Sequence, residues 1–219
     1  MSISENLKSI QDRVVRSANN VDRDPASVTI IAASKNQPLS KLIEAYELGI
    51  RHFGESRLQE AEPKIAAMPD DITWHFIGTL QSNKAKKIAN LFSVIHTLDK
   101  ESQLKEIGKA TGQVDVLLEV NIANEPQKSG IPVNVLDALR HQVLNYSKVH
   151  FRGLMTIGPI VEEPEMMREY YRLMKKLNDD AGGEWLSMGM SGDFEVAIQE
   201  GSTHIRIGTA LFGERNDTA

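Results

Sequence analysis

The chain has 219 residues, of which 41% are hydrophobic and 25% charged, and its formal net charge at pH 7 is −5. This composition is typical of a folded globular protein, and it excludes the basic surface on which nucleic-acid-binding proteins depend. The chain contains no cysteine, which excludes disulfides, thiolate metal sites and thiol catalysis.

The N-terminal segment is predicted to be a helix. Its apolar residues Leu7, Ile10, Val14 and Val15 recur at helical spacing, and no basic head precedes an apolar run as it would in a secretory signal. No apolar run in the chain approaches the roughly 18 residues that a membrane span requires. We therefore expect a cytoplasmic protein with no membrane contact and no nucleic-acid partner.

Eight short β-type stretches then alternate with helical patterns. Strands are predicted at residues 28–34, 51–54, 73–78, 93–98, 114–121, 149–157, 184–190 and 204–207. Helices are predicted at residues 39–48, 55–67, 81–91, 100–111, 132–145, 163–180 and 193–200. Eight such units predict an α/β protein with a single (β/α)8 TIM barrel and an extra N-terminal helix. No linker divides the chain, so we expect one domain over residues 1–219.

An open, doubly wound sheet is the alternative architecture. Two features argue against it. No Gly-x-Gly-x-x-Gly motif follows the first predicted strand, and eight strands exceed the usual six of that fold.

Lys35 follows the first predicted strand in the sequence VTIIAASKNQP, residues 28–38. Barrel enzymes carry their functional groups where strands end, at the C-terminal face. A lysine in a dry site there loses its proton more easily, and a neutral amine can condense with a carbonyl group. The alternative is an inert, exposed loop lysine, and position alone favours that alternative.

The last two predicted strands also end in candidate binding residues. Small residues around Ser191 let backbone N–H groups approach an anion, and phosphate sites in barrels favour the loops after strands seven and eight. Arg206 alternates with two isoleucines on strand eight, so it is predicted to face the barrel or its mouth beside Gly208 and Thr209. An arginine in a strand can instead be structural, but its proximity to the Ser191 loop favours ligand binding.

The histidines form no metal-binding motif. His-x-His and His-Glu-x-x-His spacings are absent, and so is the Gly-x-Ser-x-Gly elbow of serine hydrolases. The five histidines in or beside strands are therefore expected to be satisfied core or rim residues: His52, His75, His96, His150 and His204.

Six ordered motifs, spanning nearly the whole chain, resemble those of the pyridoxal-phosphate homeostasis proteins. They are FGESRLQE (53–60), WHFIGTLQSNK (74–84), KSG (128–130), GLMTIGP (153–159), LSMGMS (186–191) and GSTHIRIGT (201–209). The resemblance implies a barrel similar to the N-terminal domain of bacterial alanine racemases. It also implies that pyridoxal 5'-phosphate is held as an internal aldimine on Lys35.

The resemblance assigns the other cofactor contacts too. It implies that the phosphate lies on Ser191 and on the turn of Gly208 and Thr209, that Arg206 faces the pyridine nitrogen, and that Met155 lies near the ring. The chain departs from the family at one point. Ser56 and Arg57 stand where the family usually has asparagine and tyrosine. Ser56 is therefore expected to make either a shorter contact, directly or through water, or none, and binding is expected to be weaker or differently tuned.

The expected function follows from these contacts. Arginine can only donate hydrogen bonds, so Arg206 would leave the ring nitrogen unprotonated and weaken the cofactor as an electron sink. Alanine racemases add a tyrosine placed by a second domain and a dimer, whereas Tyr46, Tyr170 and Tyr171 are predicted here on helices outside the barrel.

The resemblance therefore implies a monomeric carrier or regulator in intracellular vitamin B6 homeostasis, with little or no turnover. Pyridoxal-phosphate-dependent apo-enzymes are candidate partners. The alternative is a small amino-acid racemase or a Schiff-base lyase that uses Lys35.

Overall fold

Eight parallel strands close into a barrel in the computed structural model, which describes residues 2–213. The strands are β1 (Thr29–Ala33), β2 (His52–Glu55), β3 (Thr73–Phe76), β4 (Val94–Leu98), β5 (Val114–Glu119), β6 (Val149–Met155), β7 (Trp185–Met190) and β8 (His204–Ile207). Each strand pairs with the next in the chain, and β8 pairs with β1. The predicted barrel is confirmed, and the doubly wound alternative is wrong. Residues 1 and 214–219, which the predicted domain includes, lie outside the described residues.

Helices follow the strands around the outside of this barrel. They are α1 (Ile3–Asn19), α2 (Leu39–Glu47), α3 (Leu58–Ala67), α4 (Ser82–Leu91), α5 (Glu101–Ile107), α6 (Leu136–Val143), α7 (Arg168–Asp180), α8 (Phe194–Gln199) and α9 (Thr209–Phe212). Every helix predicted from the sequence is present, and α9 is a short addition that the sequence did not predict.

Helix α1 is the extra N-terminal element. It begins with a capping box, in which the Ser2 hydroxyl accepts from Glu5 N and the Glu5 carboxylate accepts from Ser2 N. Its apolar face packs on the last helices of the barrel, where Asn6 Nδ2 donates to the carbonyl of Leu211 at 2.9 Å. Helix α1 thus braces the segment that follows β8.

Three predicted strands extend two residues too far at their C-terminal ends. Residues 77–78, 120–121 and 156–157 were predicted as strand, but the regular ladders stop at Phe76, Glu119 and Met155. The apolar pattern continues past the ladders because the next residues turn over the barrel mouth. Ile77 and Ile157 line a cavity there.

Three helices begin at least three residues later than predicted. The stretch 163–180 starts its α-helix at Arg168, because a 3-10 turn over Pro164–Met167 comes first. The stretch 55–67 starts its helix at Leu58, because Glu55 still belongs to β2. The stretch 132–145 starts at Leu136, because a 3-10 turn over Val133–Val135 follows Pro132. A proline fixes the backbone of its own residue but does not decide between a 3-10 turn and an α-helix.

The core has two parts. A large apolar cluster fills the space between the strands and the helices, and it includes Ile205 and Ile207 of β8. A separate small cluster consists of Val94, Leu117 and Met155. Many polar side chains are also buried, so the barrel interior is partly polar.

Within residues 2–213, no helix combines the length and the apolar composition that a membrane span requires.

Candidate functional site

A cavity of about 500 Å³ opens at the C-terminal ends of the strands. Two of the residues predicted for the site, Lys35 and Ser56, line it. The other lining residues come from the loops and ends of strands β2 to β6: Arg57, Ile77, Gly78, Thr79, Thr97, Glu119, Lys128, Ser129 and Ile157.

Lys35 is half-buried in a turn that starts two residues after the end of β1. The residue after it, Asn36, has a φ of 59°, and asparagine tolerates this left-handed conformation better than most residues. The backbone N–H of Asn36 donates to Glu60 Oε1 at 2.6 Å. The turn is therefore held from α3, and the position of Lys35 is fixed by a neighbouring helix.

A second lysine, Lys64 of α3, holds the same turn from beneath. Its Nζ atom donates to the carbonyl of Ser34 at 2.9 Å and to Glu55 Oε1 at 2.7 Å. The hydroxyl of Ser34 donates to the same Glu55 oxygen at 2.7 Å. Lys64 is 7% exposed and Glu55 is fully buried. The buried ion pair thus connects the end of β1 to β2 directly behind Lys35.

Ser56 lies in the loop after β2 and packs against the loop after β3. A Cβ atom on Gly78 would lie 2.1 Å from the carbonyl oxygen of Ser56, so no other residue fits at position 78 without moving the backbone. The hydroxyl of Thr97 donates to the carbonyl of Gly78 at 2.7 Å and fixes the second loop in turn. Three consecutive strands therefore define this wall of the cavity.

Glu119, the last residue of β5, contributes a carboxyl group to the cavity. Burial and then the nearby charge of Asp99 raise its pKa to about 7, while the charges of Arg206 and Lys100 act in the opposite direction. A pKa in this range suits a group that both accepts and donates a proton near neutral pH.

Arg206 is buried and faces the barrel interior, as predicted. Its Nη1 donates to Ser187 Oγ at 2.7 Å and its Nη2 donates to the carbonyl of Thr156 at 2.9 Å. Burial lowers its pKa, and the charges of Glu119, Tyr171 and Asp193 oppose that shift. Arginine remains a cation in proteins, so Arg206 gives the interior below the mouth a fixed positive charge.

Met155 is fully buried at the end of β6. It pairs in register with Glu119 on one side and with Ser187 on the other, and its side chain packs with Val94 and Leu117. Met155 therefore lies between β5, which carries the carboxyl group of Glu119, and β7, whose Ser187 accepts a hydrogen bond from Arg206.

Ser191, Gly208 and Thr209 form a second group, which is not among the residues lining the cavity. Ser191 Oγ accepts from the N–H of Ala210 at 3.2 Å, which joins the loop after β7 to the start of α9. A Cβ atom on Gly208 would meet only Ala33, at 3.6 and 3.7 Å, which is ordinary contact. The turn therefore lies beside the end of β1. The predicted site residues thus fall on two sides of Lys35.

Tyr171 differs from its prediction. Helix α7 does lie outside the barrel, but the Tyr171 side chain turns inward, is 2% exposed, and donates from its hydroxyl to Asp193 Oδ2 at 2.6 Å. Burial, followed by the charge of Asp193, raises the pKa of this hydroxyl. Tyr46, by contrast, makes an exposed contact with Asp71 on the outer surface.

Comparison with known proteins places this barrel in a family. The family described as alanine racemase, N-terminal domain, matches residues 5–216. The pyridoxal phosphate homeostasis protein of Aquifex aeolicus (strain VF5) is 40% identical over 226 residues, which cover 98% of this chain and 99% of that protein. The chain belongs to the pyridoxal phosphate homeostasis protein family.

Solved structures agree with this membership. PipY of Synechococcus elongatus PCC7942, solved with PLP bound, has 34% sequence identity and a TM-score of 0.84, with 97% of this chain and 100% of that chain covered. The alanine racemase of Corynebacterium glutamicum has a TM-score of 0.71 at 14% identity, with 99% of this chain and 62% of that chain covered. The second likeness is one of fold alone.

Three features of the site of this homeostasis-family chain were not predicted from its sequence. Glu119 was assigned to a strand and not to the mouth, and the pair of Lys64 and Glu55 was not recognised. The histidines were judged by local spacing, although His75 and His96 are hydrogen-bonded across two strands. One signal was available: polar residues inside otherwise apolar strands, as at His96 and Glu119, mark a polar barrel interior.

Proposed function

We propose that this chain binds pyridoxal 5'-phosphate covalently through Lys35 and acts in intracellular vitamin B6 homeostasis. It acts as a carrier or regulator of the cofactor, with little or no turnover of amino acids. The observation that carries the proposal is the position of Lys35 in the cavity of a barrel of this family. PipY, which is 34% identical, was solved with PLP bound, and this supports the same ligand here.

The residues around the mouth fit the cofactor. The cavity of about 500 Å³ lies within the range of roughly 300–1,000 Å³ that is usual for small-ligand sites. Lys35 offers an amine to an aldehyde, and Arg206 offers N–H donors to a ring nitrogen. The turn of Gly208 and Thr209, which is joined to Ser191 through the N–H of Ala210, offers backbone N–H groups and two hydroxyls to a phosphate. When bound, the cofactor supplies an aldehyde and an electron-withdrawing ring.

The chain's own residues then hold this group in place. Lys35 attaches it, Ser191, Gly208 and Thr209 bind the phosphate, and Met155 and Ser56 contact the remainder. Because Arg206 can only donate, it keeps an acceptor nitrogen unprotonated, which limits the chemistry available at the site. Tyr171 is bonded to Asp193 and its raised pKa makes it a poor proton carrier. These properties favour holding the cofactor over turning over a substrate.

Covalent attachment is tested by reduction and peptide mapping. Purified protein incubated with pyridoxal phosphate and then treated with borohydride should carry the reduced adduct on the peptide that contains Lys35. Lys35→Ala should lose at least about 90% of the adduct, because the other lysine that lines the cavity, Lys128, is engaged with Glu125 and the carbonyl of Gly158. The matched control is Lys128→Ala, since Lys128 lines the same cavity and should leave the adduct intact. An adduct that persists in Lys35→Ala would overturn the assignment.

A second candidate function follows from Glu119. A carboxyl with a pKa of about 7 in the same cavity as Lys35 favours slow exchange of a substrate α-proton, as in a small racemase or a Schiff-base lyase. In deuterium oxide with L-alanine, we expect slow exchange at most. Glu119→Gln should lower that exchange about 100-fold, the effect typical of a lost acid/base group.

The control for this measurement is Ser129→Ala, which changes the same cavity wall without removing a proton carrier. Sustained exchange by the unmodified protein would favour the enzyme over the carrier. Exchange that is unaffected by Glu119→Gln would remove Glu119 from the mechanism.

We further propose a cytoplasmic monomer that passes the cofactor to pyridoxal-phosphate-dependent apo-enzymes. Sedimentation measures the oligomeric state. Activation of an apo-enzyme by the loaded protein, compared with free cofactor at the same concentration, measures transfer; equal rates would contradict a carrier role.

A further inference from the structure

A line of hydrogen-bonded side chains crosses the interior of the barrel and ends at Arg206. His52 Nδ1 lies 3.0 Å from His75 Nε2, and His75 Nδ1 lies 2.9 Å from His96 Nε2. His96 Nδ1 lies 3.0 Å from Ser187 Oγ, which accepts from Arg206 Nη1 at 2.7 Å. Because β4 and β7 are not neighbours in the sheet, the contact between His96 and Ser187 spans the barrel.

The chemistry of Arg206 determines which atom donates and which accepts in each hydrogen bond of this line. Its guanidinium can only donate, so Ser187 Oγ must accept from it. Ser187 has one hydroxyl hydrogen left, and His96 Nδ1 is the acceptor within its reach among residues 2–213. In the opposite arrangement His96 would donate to Ser187, and a buried hydroxyl hydrogen would be left unpaired, which is costly. Ser187 therefore donates to His96.

The same step repeats along the histidines. A neutral His96 that accepts at Nδ1 carries its hydrogen on Nε2 and donates to His75 Nδ1. His75 likewise donates from Nε2 to His52 Nδ1. All three rings are thus neutral Nε2–H tautomers, and every donor along the line points away from the mouth, toward the start of β2.

This arrangement resists protonation. A second hydrogen on His75 or His96 would make two donors face each other. Both rings are fully buried, and burial, followed by the unfavourable proximity of other histidines and, at His96, of Arg206, holds the pKa of each well below its usual range.

We propose that His75, His96 and Ser187 are positioning residues for Arg206. Because the Ser187 hydroxyl donates its hydrogen to His96, a lone pair of the same oxygen is left to accept from the Arg206 guanidinium. This hydrogen bond holds the guanidinium in one position below the mouth. In its effect on the cofactor this inference rests on the proposed function, because Arg206 is there assigned to the ring nitrogen. The fixed position of the guanidinium itself does not depend on any ligand.

The first test uses the protein without added cofactor. Nitrogen-15 NMR of the histidine rings should show His52, His75 and His96 as neutral Nε2–H tautomers at pH 7.5. The guanidinium of Arg206, assigned by loss of its signals in Arg206→Lys, should give separate, slowly exchanging Nη signals. A neutral Nδ1–H tautomer at His75 or His96 would overturn the direction of the line, and this measurement requires no variant to fold.

Variants then test the positioning. His96→Leu removes the acceptor of the Ser187 hydrogen and should average the Arg206 Nη signals. His96→Asn should restore them, because its side-chain oxygen lies near the place of Nδ1. His204→Leu is the matched control: His204 is buried and its ring centroid is 6.3 Å from that of His75, but it is bonded to Thr203 rather than to the line. Wild-type Arg206 signals in His96→Leu would contradict the proposal.

The last measurement adds pyridoxal phosphate. His96→Leu should raise its dissociation constant about tenfold, whereas His96→Asn and His204→Leu should stay within about threefold of the wild type. If the wild-type protein does not bind the cofactor, the proposed function fails, and the guanidinium signals still decide whether the line positions Arg206. If the wild type binds and His96→Leu binds equally well, the proposed function stands and the positioning role toward the cofactor fails.

Discussion

Lys64→Met is expected to lower the free energy of unfolding by about 3–5 kcal/mol at pH 7, the usual cost of leaving one partner of a buried ion pair alone. The Glu55 carboxyl would lose the cation at 2.7 Å, in a place where it is fully buried and where its second oxygen, Oε2, already has no partner among residues 2–213. Urea unfolding at pH 7 measures the loss.

Two controls separate this effect from ordinary loss of a charge. The exposed pair of Lys87 and Glu62 lies on the surface of α4 and α3, so Lys87→Met should cost at most about 1 kcal/mol. The double variant Lys64→Met with Glu55→Gln removes the uncompensated charge and should recover much of the loss. A cost for Lys64→Met equal to that of Lys87→Met would contradict the assigned role. Lys64 also holds the carbonyl of Ser34, so its loss should loosen the turn that carries Lys35.

Stability is expected to fall steeply as the pH drops below about 6.5, by on the order of 2 kcal/mol per pH unit. Burial lowers the pKa of four histidines, that of His204 to about 4, whereas the unfolded chain protonates each near 6.5. The unfolded state therefore binds more protons below that pH. Each histidine contributes up to about 1.4 kcal/mol per pH unit, present in full above pH 6.5 and lost below it.

Two buried carboxyl groups change the free energy of unfolding with pH in the opposite direction. Burial raises the pKa of Glu55, and raises that of Glu119 to about 7, so the folded state takes up their protons earlier than the unfolded chain. Their contribution to stability is present at low pH and is lost as the pH rises. Because the four histidines outnumber the two carboxyls, stability still declines on acidification.

Urea unfolding between pH 5 and 7.5 measures this slope. His75→Gln should reduce it by about 1.4 kcal/mol per pH unit, the effect of one proton. The control, His141→Gln at an exposed site on α6, should leave the slope unchanged. A flat stability profile between pH 5 and 7 would show that the buried histidines are not neutral in the folded state.

The barrel was predictable because each of its strands and helices has a recognisable pattern in the local sequence. Each strand is a short apolar run, each helix has its own spacing, and eight alternations leave few architectures. The ends of the elements were less predictable. Ile157 is an exposed apolar residue that lines the mouth, and it directly follows the apolar pattern of β6, so the sequence does not show where the strand ends and the loop begins.

Of the candidate site, the positions of Lys35 and Arg206 were predictable, because each residue type has a distinctive chemistry: Lys35 lines the cavity and Arg206 is buried in the barrel interior. Their roles toward a cofactor stay predictions. The residues that support them could not be found in this way. Lys64 meets Glu55 across nine positions, and His96 meets Ser187 across 91. No local spacing encodes such pairs, because they arise from which strands and helices the closed barrel brings together.

The pairing of β1 with β8 also orders events in time. Lys35 follows β1, and the turn of Gly208 and Thr209 follows β8, so the two halves of the mouth are made at opposite ends of synthesis and meet when the ring closes. A ligand that contacts both halves is therefore expected to bind only after the ring has closed, and its binding should make the closed barrel more stable.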